Sequence, residues 1–182
     1  GLPTVGGRGL PTVGATGPAW PADRPDDGPT SSWDGVRADL ATLRRGGPTG
    51  EIALAADTLD RLVRSALGVE PDAAYGRLTL RPAFPTHWNA FEASGLALAD
   101  ARLGFTWDRT GALHRFRLRQ TAGGAPITWI LEPWLFGSGL TSARVDGEPA
   151  ELDAVPDGGG VRPRIQLPAE RERVVELEVS PP

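Results

Sequence analysis

From Gly76 to the C-terminus, apolar residues recur at every second position, the spacing that lines one face of an extended strand. Leu78 and Leu80 alternate with Arg77, Thr79 and Arg81. Leu103, Phe105 and Trp107 alternate with Arg102, Gly104 and Thr106, and Phe116 and Leu118 with Arg115, Arg117 and Arg119. Between those two runs, Asp108-Arg109-Thr110-Gly111 reads as a hairpin connection. Ile127, Trp129 and Leu131 predict a more buried strand, because the intervening Ile130 is apolar as well. Ala143 and Val145 run into Asp146-Gly147, a tight-turn signal, with Leu152 on the return strand. Asp157-Gly158-Gly159-Gly160 marks another turn. Val161, Ile165 and Leu167 then alternate with Arg162, Arg164 and Gln166, and Val175, Leu177 and Val179 with Glu176 and Glu178. Roughly seven or eight short one-faced strands with frequent turns predict two antiparallel sheets packed face to face.

Upstream the period lengthens. Over 33–45, Val36, Leu40 and Leu43 form an apolar stripe that Ser31 or Ser32 can cap and Gly46-Gly47-Pro48 stops. Over 49–68, Ile52, Ala55, Leu59, Leu62 and Ala66 line one face, with Thr49 as cap, Gly68 at the C-cap position and Pro71 beyond. Residues 1–30 differ again: Gly1-Leu2-Pro3-Thr4-Val5-Gly6 recurs as Gly9-Leu10-Pro11-Thr12-Val13-Gly14. Two copies are too few to stack as a solenoid, and dense Pro and Gly oppose regular pairing. The expected chain is mainly β: an antiparallel β-sandwich over 69–182, preceded by one or two α-helices in a lead-in over 31–68 and a disordered Pro/Gly-rich tail over 1–30.

Composition narrows the function. The chain has 182 residues, 40% of them hydrophobic, with six Trp and five Phe, enough for one core. A net charge of −4 argues against a nucleic-acid partner, which calls for a basic face. Every basic residue is Arg, as GC-rich coding favours. The absence of Met, including at position 1, suggests a fragment or a processed chain. Without Cys there is no disulfide framework, thiol nucleophile or Cys-held metal. No apolar run approaches the roughly 20 residues of a helical membrane span, and the basic-then-apolar pattern of a signal peptide is missing.

Candidate chemistry is sparse. His87 lies in a Pro-Thr-His-Trp turn, and His114 shares strand parity with Phe116 and Leu118; neither has a partner at metal-ligand or acid–base spacing. Carboxylates such as Asp57, Asp60, Glu70, Asp72, Glu92, Asp100, Asp108 and Glu132 fall in turns, caps or solvated faces. A glycosidase needs two of them held across a cleft, which spacing alone does not reveal. No catalytic residue, metal ligand or cofactor is therefore assigned. Arg115, Arg117 and Arg119 form a basic stripe that Arg162 and Arg164 could extend, with cross-strand pairing to Glu176 and Glu178 as its ordinary role. Sugars stack on flat aromatic faces, so Trp134, in Glu132-Pro133-Trp134-Leu135-Phe136, and Trp88 are the candidate carbohydrate-binding residues, against core packing as the alternative.

A wider pattern emerges at the junction. The run from Leu62 through Leu67-Gly68-Val69-Glu70-Pro71-Asp72 and Gly76-Arg77-Leu78-Thr79-Leu80-Arg81-Pro82 to a Pro-x-x-Trp turn at Trp88 resembles the exit from the (α/α)6 barrel of six-hairpin glycosidases. That superfamily includes glucoamylase-like, amylo-α-1,6-glucosidase-like and α-L-rhamnosidase-like enzymes. There a C-terminal β-sandwich follows the barrel, and Val145-Asp146-Gly147-Glu148-Pro149 suits such a sandwich. The resemblance spans about 50–180 and implies a non-catalytic C-terminal module of a glycoside hydrolase-like protein, supporting a barrel that this chain lacks. The family's catalytic carboxylates belong to barrel loops upstream, so none carries over. The rival reading is an independent carbohydrate-binding module with exposed Trp faces. The partners implied are a carbohydrate, an upstream helical barrel or a second copy of the chain, with no nucleic acid and no membrane.

Overall fold

Alternation at a period of two becomes strand almost throughout the residues described by the computed structural model, which are 13–14, 67–124, 126–168 and 172–182. The expected helices over 33–45 and 49–68 lie outside them, apart from Leu67 and Gly68, and so does the expected tail apart from Val13 and Gly14. Gly68 has φ +53, the left-handed conformation foreseen for a C-cap, and an added Cβ would stand 2.8 Å from the Cβ of Arg81.

The strands run in order as β1 (Val13–Gly14), β2 (Glu70–Asp72), β3 (Arg77–Leu80), β4 (Ala90–Leu98), β5 (Ala101–Thr110), β6 (Leu113–Ala122), β7 (Thr128–Leu131) and β8 (Leu135–Phe136). There follow β9 (Gly139–Val145), β10 (Glu148–Pro149), β11 (Ala154–Asp157), β12 (Gly160–Pro163), β13 (Ile165–Pro168) and β14 (Glu172–Ser180). A single 3-10 turn, Ala73–Tyr75, joins β2 to β3.

Seven strands form the larger sheet, in the order β1-β4-β5-β6-β14-β9-β10, and four form its partner, β13-β7-β3-β2. A small third sheet, β11-β12-β8, lies in the order given. Among the described residues, the pairings are antiparallel except that of β3 with β7. The larger sheet contributes Phe91, Phe105, Trp107, Phe116, Leu118 and Leu177 to one continuous core, and the four-stranded sheet contributes Leu78, Leu80, Trp129, Leu131, Ile165 and Leu167. The mainly β, antiparallel sandwich is thus the fold. Its apolar faces are buried against each other, which is the dominant favourable term in such a layered domain.

Four details depart from the sequence expectation. Asp108, Arg109 and Thr110 belong to β5, and the β5–β6 connection is only Gly111 and Ala112. The strand β4 was not foreseen, because its alternation fails: the register to β5 shifts between Ala93 and Leu96, where Gly95 has φ +75. Leu152 is not on a return strand, since β10 stops at Pro149. The run Val161 to Leu167 is two strands in different sheets, because the chain leaves β12 at Arg164.

Candidate functional site

Two features concentrate polar groups against buried apolar surface. The first is a cross-strand row on the four-stranded sheet. The register pairs Leu80 with Leu131 and Leu131 with Ile165, so Arg81, Glu132 and Arg164, each one step along, come side by side on the face away from the core. Glu132 is buried at 6% exposure, and its carboxylate is held from both sides. Arg81 Nε donates to Oε2 at 2.7 Å and Arg164 Nη1 to Oε1 at 2.7 Å. Arg162 donates to the Glu132 backbone carbonyl at 2.8 Å and to Asp157 Oδ2 at 3.0 Å. Arg81 also pairs with Glu70. The hydrogen bond from Arg81 to Glu132 is the main reason that the Arg81 pKa is raised above its ordinary value. Arg162 and Arg164 therefore do not extend the Arg115 stripe: Arg162 lies in the small third sheet and Arg164 between β12 and β13. Arg115 itself reaches Glu176 at 2.8 Å across the β6–β14 pair, the cross-strand role expected for it.

The second feature is an open depression of about 310 Å3, counted to its mouth, at one end of the sandwich. Its walls include Phe84, Trp107, Phe116, Trp134 and Phe136, with Arg109, His114 and Thr86 as polar members. The enclosed part is about the size of a single water molecule. Phe84 holds the wall in place by stacking on Trp107 with centroids 4.3 Å apart. His114 is buried beside them, and its Nδ1 accepts from the Trp107 indole N–H at 3.3 Å. Burial, and then the nearby charge of Arg109, push the His114 pKa down to about 4.

Trp134 borders this depression, and of the two readings its sequence allowed, stacking face or core packing, its surroundings are those of packing. It is 5% exposed, its indole N–H donates to the Asp157 carbonyl at 2.7 Å, and its ring lies at 6.2 Å from that of Phe136. The turn of Gly158 and Gly159 brings Asp157 and Gly160 over it, which neighbouring sequence positions do not reveal. Trp88 is half-buried, stacked at 6.1 Å on Phe91 and 6.4 Å on Phe84. It does not line the depression, so the two tryptophans do not meet in one site. His87 lies in the turn closed by the Trp88 N–H on the Pro85 carbonyl.

Two residues went unremarked in the sequence. Arg109 reads there as loop, whereas it stands in β5 at the rim of the depression. Tyr75 is 74% exposed, with the Arg77 guanidinium 5.6 Å from its ring centre. Among the described residues no cluster of three or more His, Asp or Glu is placed to hold a metal ion, and no helix is long and apolar enough to cross a membrane. Compared with models of known protein families and with curated proteins, the chain matches none.

Proposed function

We propose that the chain is a non-catalytic C-terminal β-sandwich module of a glycoside hydrolase-like protein, whose work is to pack against and steady a helical neighbour. The observation that carries this reading is Ile130. It stands on the β7 face opposite Trp129 and Leu131, outside the core between the sheets, yet it is only 8% exposed. With this chain alone present, residues of the chain itself already cover that face, so β7 is buried on both sides, as in a layered sheet. A helical layer is the natural cover for such a sheet.

The polar groups agree with a packing role. A general acid or base must reach a substrate proton. Both oxygens of Glu132, the one buried carboxylate among the described residues, are engaged by guanidinium groups. The test is the reading frame upstream. A run of helices with paired carboxylates there supports the proposal, and joining it to this chain should give hydrolysis of aryl glycosides that the chain alone lacks. Hydrolysis by the chain alone contradicts it.

Tyr75 favours a second reading, an independent carbohydrate-binding module, because its ring is the most open aromatic surface among the described residues. Titration with oligosaccharides, followed by intrinsic fluorescence, checks this. Binding that Tyr75→Ala abolishes supports it, and a flat response to every glycan rejects it.

A further inference from the structure

Arg109 is a half-buried cation without a counter-charge among the described residues. Its Nη2 donates to the Thr86 carbonyl at 2.6 Å and to Asn89 Oδ1 at 3.1 Å, both neutral acceptors. Burial lowers its pKa, the mark of a charge held away from water. A guanidinium has five N–H donors, so Nε and Nη1 still have hydrogens to give. A partly desolvated charge left unpaired costs free energy that an anion would recover.

His114 offers a second donor at the same place. The Trp107 indole can only donate, so Nδ1 of His114 must present a lone pair, and the proton of the neutral ring sits on Nε2. No described residue accepts from Nε2, although the side chain is more than nine-tenths buried and lines the depression. Around these two donors the walls are aromatic.

We propose that this depression is a carboxylate-binding site, in which Arg109 supplies the counter-charge, His114 Nε2–H one hydrogen bond, and Phe84 and Trp134 the apolar lining around the head group. One carboxylate oxygen enters and the rest of the head group stays at the mouth, because the enclosed part is no larger than a water molecule. The body rests across the mouth. This assignment is independent of the packing role proposed above. Two sources fit the chemistry, a sugar acid and a non-sugar ring acid.

Calorimetric titration with glucuronate, cyclohexanecarboxylate and methyl glucoside separates them. We expect binding of at least one acid and none of the neutral glycoside. Arg109→Gln should weaken acid binding by about tenfold or more, the loss of one charge-assisted contact. Arg117→Gln, an exposed arginine on β6 away from the depression, should leave it unchanged. Near-UV circular dichroism establishes that the Arg109 variant is folded. A reading that needs no variant is the His114 Nε2 resonance of the unaltered protein, which should move on addition of the acid. Binding of cyclohexanecarboxylate alone upholds the site and assigns it a non-sugar acid; binding of glucuronate alone upholds it as a sugar-acid site. The proposal is overturned if neither acid binds at millimolar concentration, if the glycoside binds as tightly, or if the His114 resonance stays fixed.

Discussion

Glu132 and His114 are the two buried polar residues among those described, and the surroundings of each make a prediction. Glu132 carries charge into a low-exposure position and is stabilised only by its guanidinium partners. Those partners are 42% and 62% exposed, so water screens the pair and its worth is modest. Glu132→Ala is expected to cost about 1–2 kcal/mol in urea unfolding, through the lost charge-assisted bonds and a frayed link between β3, β7 and β13. No change in midpoint would mean that the row contributes nothing. His114 is held neutral, with a folded pKa near 4 against an ordinary value of 6.5. The unfolded chain therefore binds a proton that the folded protein does not, between about pH 6.5 and 4. Its contribution is fully present above pH 6.5 and is lost as pH falls toward 4, amounting to about 3 kcal/mol in all. Melting temperatures of the protein and of His114→Gln should diverge at neutral pH and converge toward pH 4. Parallel curves would contradict the assignment.

At the scale of elements, the parts that sequence made legible are those set by local rules. The Asp146-Gly147 turn has positive φ at both residues, +52 and +88, as a two-residue hairpin between β9 and β10 requires. The alternations of β3, β6 and β14 each put one apolar face inward; even the register shift against β9 between Glu178 and Val179 leaves the β14 run intact, because its extra residue, Thr141, is on β9. The bulge in β4 shifts its second half by a register and hides the strand from any count at period two. The parallel partnership of β3 and β7 is a long-range choice between residues about 50 apart, and no local signal announces it. The site was legible only as a set of candidates. Trp134 was readable as a stacking face or as core packing, and only its cover from β11 and β12 shows the packing, while Arg109 was hidden inside an apparent loop. Gly160 shows why that cover is close. A Cβ there would fall 2.7 Å from Trp134 Cε2, nearer than side chains approach. Gly160→Ala should cost about 1–3 kcal/mol and loosen the β12–β8 pair, read by thermal melting together with the Trp134 indole resonance. An unchanged indole signal would show that the ring is not pinned there.

For the whole molecule, the layers decide the account. One face of the four-stranded sheet meets the larger sheet through a continuous core; the other carries Ile130 and Glu132 at low exposure, with the more exposed Arg81 and Arg164 beside them. On the proposed reading, a helical neighbour extends the cover that this chain already gives that face. The most direct measurement is amide hydrogen exchange on the chain alone and on the chain joined to its upstream sequence. The account predicts slower exchange in β3, β7 and β13 of the joined protein, with β5 and β6 unchanged. Identical exchange in both forms, or protection gained on β5 and β6 instead, would contradict it.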